Sequence, residues 1–128
     1  RGGRRCENER GKVLLVLGRY TEAEPLYKRI IGIRKGRSSE DHNDVALAYW
    51  RLGVIYDFLG QYVAAETAFQ QSIGIRERML GKNHLGVAAI LSDYSVMLRK
   101  AGKIPEAESV EARVGKIRSA QVEAASGQ

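Results

Sequence analysis

From Val45 to Leu59, apolar side chains fall at Val45, Tyr49, Leu52, Tyr56 and Leu59, with steps of four, three, four and three residues. That spacing keeps one face of an α-helix apolar and predicts an amphipathic helix over this stretch. Asp44 stands where a carboxylate would meet the free amides of the first turn as an N-cap. Gly60 stands where a left-handed residue would end the helix at little cost. A second stripe opens near Tyr62, with Ala65, Ala68-Phe69, Ser72-Ile73 and Arg76 returning at helical intervals. Gly81 and the polar Lys82-Asn83-His84 close it. Two helices joined by so short a turn must run antiparallel and pack together. Gly53 and Ala65 are small enough for the backbones to approach, and Tyr56 and Phe69 are large enough to fill the wedge beside them.

The pattern returns with a step of 42 residues. Gly18-Arg19-Tyr20, Gly60-Gln61-Tyr62 and Gly102-Lys103-Ile104 are one period apart, as are Ala23, Ala65 and Ala107, and Glu24, Glu66 and Glu108. Ile33-Arg34 maps onto Ile75-Arg76 and Ile117-Arg118, His42 onto His84, and Val45-Ala46 onto Val87-Ala88. A fixed period in this range predicts stacked units, each burying its apolar face on the next, and such proteins work by presenting a surface. Glycines recur inside the second helices at Gly32, Gly74 and Gly115, which suggests close helix approach there.

The ends depart from the pattern. In the third copy Glu111 occupies the position of Tyr27 and Phe69. A carboxylate cannot be packed under a following helix without a large cost, so the last helix reads as an exposed cap. Arg113, Lys116, Arg118 and the Ala/Ser/Gln-rich tail agree with that. In the first copy Glu7, Arg10 and Gly11 stand one period before Tyr49, Leu52 and Gly53, and only Val13-Leu14-Leu15-Val16-Leu17 is apolar. The expectation is a short or frayed first helix that leaves the Tyr27 helix partly uncovered, either the cut end of a longer array or an edge covered by another chain. The domain reading is a basic, partly disordered arm over 1–11, repeats over 12–118 with junctions near 42 and 84, and a polar tail over 119–128 that continues or frays from the last helix.

Leu52-Gly53, Tyr56, Gly60, Ala65, Phe69 and Ser72 resemble the tetratricopeptide repeat pattern at its usual internal spacing. The stretch Gly18-Arg19-Tyr20-Thr21-Glu22-Ala23-Glu24-Pro25-Leu26-Tyr27-Lys28-Arg29 resembles the long-repeat variant of kinesin light chains and related bacterial proteins. So do the Ile-Arg pairs and the Asp41-His42-Asn43-Asp44-Val45-Ala46 linker. The resemblance implies an all-α fold: a right-handed superhelix of antiparallel helix pairs, an α-solenoid of about two and a half to three repeats. Two departures matter. Family linkers usually have Pro after His, where this chain has Asn43 and Leu85, which predicts a looser turn. Family members often carry Asn, able to hold a peptide backbone or terminal carboxylate, where this chain has Trp50-Arg51 and Ser92-Asp93, so no carboxylate clamp carries over.

In such a superhelix the first helix of each pair lines the concave face. Turning off the Tyr49/Leu52/Gly53/Tyr56 stripe leaves Leu47, Trp50, Arg51, Val54, Asp57 and Phe58 for a groove and its rim. The third copy contributes Ala89, Ser92, Asp93, Val96, Arg99 and Lys100. Trp50 is the chain's one tryptophan, and exposed aromatics beside Arg are common anchors in recognition. The competing reading packs Trp50 between neighbouring pairs. The expected function is a protein-interaction scaffold or adaptor within a larger protein, binding an extended or helical peptide with acidic and apolar residues. Self-association through the repeat ends is a further expectation.

Charge adds an alternative. The net charge is +6, and residues 1–37 carry 11 Lys/Arg against 4 Asp/Glu while the remainder carries 10 against 11. A basic N-terminal region admits a nucleic-acid-binding module, a weaker reading because aromatics are not interleaved with the charge. Cys6 is the only cysteine, which excludes an internal disulfide, reads as an inert exposed thiol and points to a reducing, cytoplasmic setting. The chain begins with Arg, which suggests a processed product or a fragment. No apolar run approaches the roughly 20 residues of a membrane span, so no membrane role is expected. His42 and His84 lie one period apart without further metal ligands, so they read as residues that cap or buttress helix starts. The periodic Glu24, Glu66 and Glu108 read as structural, through pairing with Lys28 or capping, rather than as acid-base catalysts. No catalytic set, nucleotide loop or cofactor motif is present, so neither an enzyme nor a cofactor is expected.

Overall fold

The computed structural model describes residues 2–34 and 39–126, and among them every regular element is an α-helix. In chain order these are α1 (Gly2–Val16), α2 (Tyr20–Arg34), α3 (Ser39–Phe58), α4 (Tyr62–Leu80), α5 (Leu85–Lys100) and α6 (Ile104–Ser126). Each helix packs on the next along the chain, so α1–α2, α3–α4 and α5–α6 form three successive pairs. α3 also touches α5 directly, whereas no second helix packs on another to a comparable extent. The first helices α3 and α5 thus approach each other more closely than the second helices α4 and α6, which puts α3 and α5 on the inner side of the stack.

The turn inside each pair is built alike. Gly18, Gly60 and Gly102 have φ of 75°, 76° and 82°, a left-handed conformation that a side chain would strain. The amides of Arg19, Gln61 and Lys103 then return to the carbonyls of Leu14, Tyr56 and Leu98. These bonds satisfy carbonyls left free at the helix end.

Between the two helices of a pair, the closest approach is made by a glycine against an aromatic ring. A Cβ placed on Gly53 would lie 2.9 Å from the Phe69 ring, and one on Gly11 2.6 Å from the Tyr27 ring. Both rings are buried. The expected close approach at Gly32, Gly74 and Gly115 is not found. Nothing lies within 4 Å of a Cβ on Gly32 or Gly115, and Gly74 would meet only the Arg78 side chain at 3.6 Å. Gly32 and Gly115 sit on exposed helix surface, and Gly74 is half-buried.

Two apolar clusters follow the stack. One joins Ala23, Tyr27 and Ile30 of α2 to Ala48, Leu52 and Ile55 of α3, with Ala68 of α4. The other joins Ala65, Phe69 and Ile73 of α4 to Val87, Ala88, Ile90, Leu91, Met97 and Leu98 of α5 and to Ala107, Val114 and Ile117 of α6. α3 therefore buries more than the single stripe of its pair. Ala48 and Ile55, off that stripe, are fully buried because α3 is clasped by α2 as well as α4.

Three helix-end expectations are corrected. α1 is a continuous helix over Gly2–Val16, neither a disordered arm nor a short frayed segment, and it packs along α2. Gly11 keeps the small-residue contact with Tyr27 that the pair needs, so polar residues elsewhere on α1 cost little where nothing covers them. α3 begins at Ser39, which leaves Asp44 inside the helix instead of at its N-cap. With no Pro after His42 and no Gly between Ser39 and Gly53, no helix-breaking residue stops the helix from starting before Asp44. His42 consequently lies within α3, exposed, and does not cap it.

The second linker behaves differently: Gly81 turns at φ 94°, and His84 in extended conformation caps α5, its Nδ1 accepting the Gly86 amide at 2.9 Å. α6 runs on through Ser126, so most of the polar tail is helical. The side chains of residues 1–8 and 34–41 lie outside the described set, and with them the exposed-thiol reading of Cys6 and most of the basic N-terminal charge.

Candidate interaction surface

Adjacent first helices are tied at two levels on the inner side. The Trp50 indole N–H donates to Asp93 Oδ2 at 2.7 Å, joining α3 to α5. Trp50 is half-buried, packs against the larger apolar cluster, and has the guanidinium groups of Arg51 and Arg76 near its ring at 5.9 and 5.8 Å. Burial lowers the Arg76 pKa from its ordinary value. Two helical turns further along, Lys100 Nζ lies 3.4 Å from the buried Asp57 carboxylate and 4.9 Å from the Phe58 ring. Phe58 in turn stacks on Tyr20 of α2, with centroids 4.9 Å apart and planes within 3°.

The expected groove residues thus separate into three groups. Trp50 with Asp93, and Asp57 with Lys100, are held against each other as struts between pairs. Phe58 at 57% and Val96 at 50% exposure present apolar surface, and Leu47 and Val54 are half-buried. Arg51 is also half-buried, and its Nε is enclosed without a hydrogen-bond acceptor among the described residues. Ser92 and Arg99 fall elsewhere. They face α6, where Arg99 forms a two-pronged pair with Glu111 at 2.6 and 2.7 Å and Ser92 accepts from Arg118 at 3.3 Å. Arg99 holds the Glu111 carboxyl below the ordinary range.

The periodic glutamates are also inter-pair ties. Glu24 of α2 accepts the Tyr56 hydroxyl of α3 at 2.6 Å and pairs with Lys28 at 3.0 Å. Those two bonds, the tyrosine's first, lower its pKa. Glu66 of α4 accepts Tyr94 of α5 at 3.3 Å and Lys103 at 2.9 Å. Glu108, in the last pair, is exposed. These acids serve packing, with hydroxyls supplied from the neighbouring pair. Sequence spacing could not give those partners, because Tyr56 and Tyr94 are not one period apart.

Six helices in sequential antiparallel pairs, with glycine turns one period apart, have the architecture of a repeat solenoid. The tetratricopeptide repeat family model matches residues 6–78, more than half of the chain. The chain belongs to the tetratricopeptide repeat family. No curated protein matches it. The matched residues span the first two tetratricopeptide pairs, and α5–α6 extends the same packing as a third. Tetratricopeptide modules are in general protein–protein interaction modules, typically non-catalytic. Among the described residues no three His, Cys, Asp or Glu side chains gather as a metal site, and no helix is long and apolar enough to cross a membrane.

Proposed function

We propose that this module is an adaptor segment that binds a peptide along the inner face of α3 and α5, with Phe58, Val96, Val54 and Leu47 as the apolar floor. Lys100 and Arg51 are the cations that favour an acidic residue in the ligand. The observation that carries the reading is the pairing of half-exposed Phe58 and Val96 with a lysine above the Phe58 ring. A carboxylate beside an apolar side chain would satisfy both kinds of group at once. Trp50, Asp57 and Asp93 are scaffold in this reading. They hold α3 and α5 at the separation that the peptide meets. Ser92 and Arg99 belong to the last edge. The 42-residue period supports the long, kinesin-light-chain-like branch of the family, and the single cysteine supports a cytoplasmic setting.

Panning a displayed random-peptide library against the chain tests this. Selected peptides should carry Asp or Glu next to Leu or Phe, and should lose about tenfold or more in affinity for Val96→Asp or Lys100→Glu. Selected peptides indifferent to both substitutions would overturn the assignment.

A further inference from the structure

The α2–α3 and α4–α5 junctions use the same positions one period apart, and they are filled differently. At α2–α3, Tyr56 and Leu59 pack on the apolar cluster, and the Tyr56 hydroxyl donates to Glu24 at 2.6 Å. One period on, Leu98 replaces Tyr56 and Ala101 replaces Leu59, while Tyr20 and Glu24 recur as Tyr62 and Glu66. The second junction thus keeps the aromatic wall and the carboxylate but brings neither the phenol ring nor the leucine side chain. A hollow of about 180 Å³ lies there, walled by Tyr62, Met97, Leu98 and Ala101, with Glu66 and Lys103 on its polar side. Val63, 83% exposed, stands at its rim.

We propose that this hollow binds a small free phenol, its ring taking the place that Tyr56 has in the first junction and its hydroxyl donating to Glu66. Apolar protein cavities of about 150 Å³ accept a benzene ring, so the volume suits one ring with a short para substituent. Glu66 sets the chemistry. Its carboxylate accepts Lys103 at 2.9 Å and the Tyr94 hydroxyl at 3.3 Å, the latter a longer bond than that of Tyr56 to Glu24. A carboxylate oxygen accepts more than one bond, so capacity for a ligand hydroxyl remains. A neutral O–H donor gains a charge-assisted bond there, a bare hydrocarbon ring gains none, and a ring carboxylate meets a like charge.

The hollow shares no residue with the peptide-binding face proposed on α3 and α5, so the two readings stand or fall separately.

The probe is p-cresol titrated into the intact chain, followed by amide NMR shifts. Saturable shifts centred on the start of α4 and the end of α5 are expected, with Kd of about 0.1–3 mM. Toluene, which has the same shape without the hydroxyl, should bind about threefold or more weakly, and p-toluate more weakly still. Glu66→Gln should draw the p-cresol and toluene affinities together. Ala101→Leu and Leu98→Tyr refill the hollow with the residues of the first junction, and each should abolish saturable binding. Circular dichroism should find both folded, because leucine and tyrosine already occupy those positions one period earlier. Val96→Asp, on the inner face, should leave binding unchanged. Absence of saturation up to about 10 mM, equal affinity for p-cresol and toluene, or binding indifferent to both refilling substitutions overturns the proposal. Tighter binding of N-acetyl-tyrosinamide than of p-cresol overturns it in favour of a tyrosine from a partner chain.

Discussion

At the α5–α6 end of the stack, Ser92, Arg99 and Glu111 occupy the positions that Trp50, Asp57 and Phe69 hold inside it. At the α1–α2 end, Val13 and Leu26 keep the apolar character of Ile55 and Ala68. The first set is polar and internally satisfied, with Arg99 on Glu111 and Arg118 on Ser92. The second buries Leu26 but leaves Val13 55% exposed, with Val16 86% exposed beside it. A carboxylate–guanidinium pair on the surface costs little to leave in water and much to desolvate, so it both finishes an edge and repels a further unit. Exposed aliphatic residues do the reverse. The same repeat pattern therefore gives the outer pairs different surfaces, one polar and internally paired, the other partly apolar.

The strongest test of that contrast is the matched pair Phe69 and Glu111. Phe69→Ala removes a fully buried ring and should cost about 3–5 kcal/mol in urea unfolding. Glu111→Ala, one period on, should cost under about 1 kcal/mol, since it removes a surface ion pair. Equal losses would mean that the last pair is packed like an internal one.

Ile55 and Val13 sharpen the other end. Ile55→Ala should destabilise by about 2–5 kcal/mol, whereas Val13→Ala should stay within about 0.5 kcal/mol. A large Val13→Ala effect would show that α1 is covered in solution.

Acid tests the internal tie at Glu24. The Tyr56 hydroxyl and Lys28 hold the Glu24 carboxyl below the ordinary glutamate range. A group whose folded pKa is depressed contributes stability above its unfolded value and loses it as pH falls through the folded value. The melting temperature should therefore decline as pH drops below the ordinary glutamate range, and Glu24→Gln should flatten part of that decline. A Glu24→Gln profile parallel to that of the unchanged chain would remove Glu24 as a contributor.

The smallest effect is expected at Gly115, with open space around it in the interior of α6. Gly115→Ala should raise stability by about 0.5–1 kcal/mol, because it removes backbone freedom from the unfolded chain without a clash. At Gly53 the same change drives a methyl into the Phe69 ring and should destabilise, so the two thermal melts should move in opposite directions.

Much of the fold was legible because it rests on local chemistry. The left-handed glycines at 18, 60 and 102 and the α4 span from Tyr62 to Leu80 both depend on residues near each other or one period apart. The candidate surface was less legible. Trp50 could be placed off the core stripe, but its bond to Asp93 depends on how far α5 stands from α3. Ser92 and Arg99 share a helix face with groove residues by spacing alone, and the approach of α6 draws them to the edge. The intact α1 was missed because its polar residues resemble a frayed helix when judged by hydropathy. The signal that could have restored it was Gly11, one period before Gly53.

By itself the sequence determined the period, the helical pairs and the polarity of each end, because these follow from hydrogen-bonding geometry and from which side chains tolerate water. The tertiary structure alone decided which polar groups meet: Trp50 with Asp93, Asp57 with Lys100, Tyr56 with Glu24, Arg99 with Glu111. The physical reason is distance. A hydrogen bond or ion pair needs atoms within about 3 Å, and that separation is set by how the pairs lean on one another.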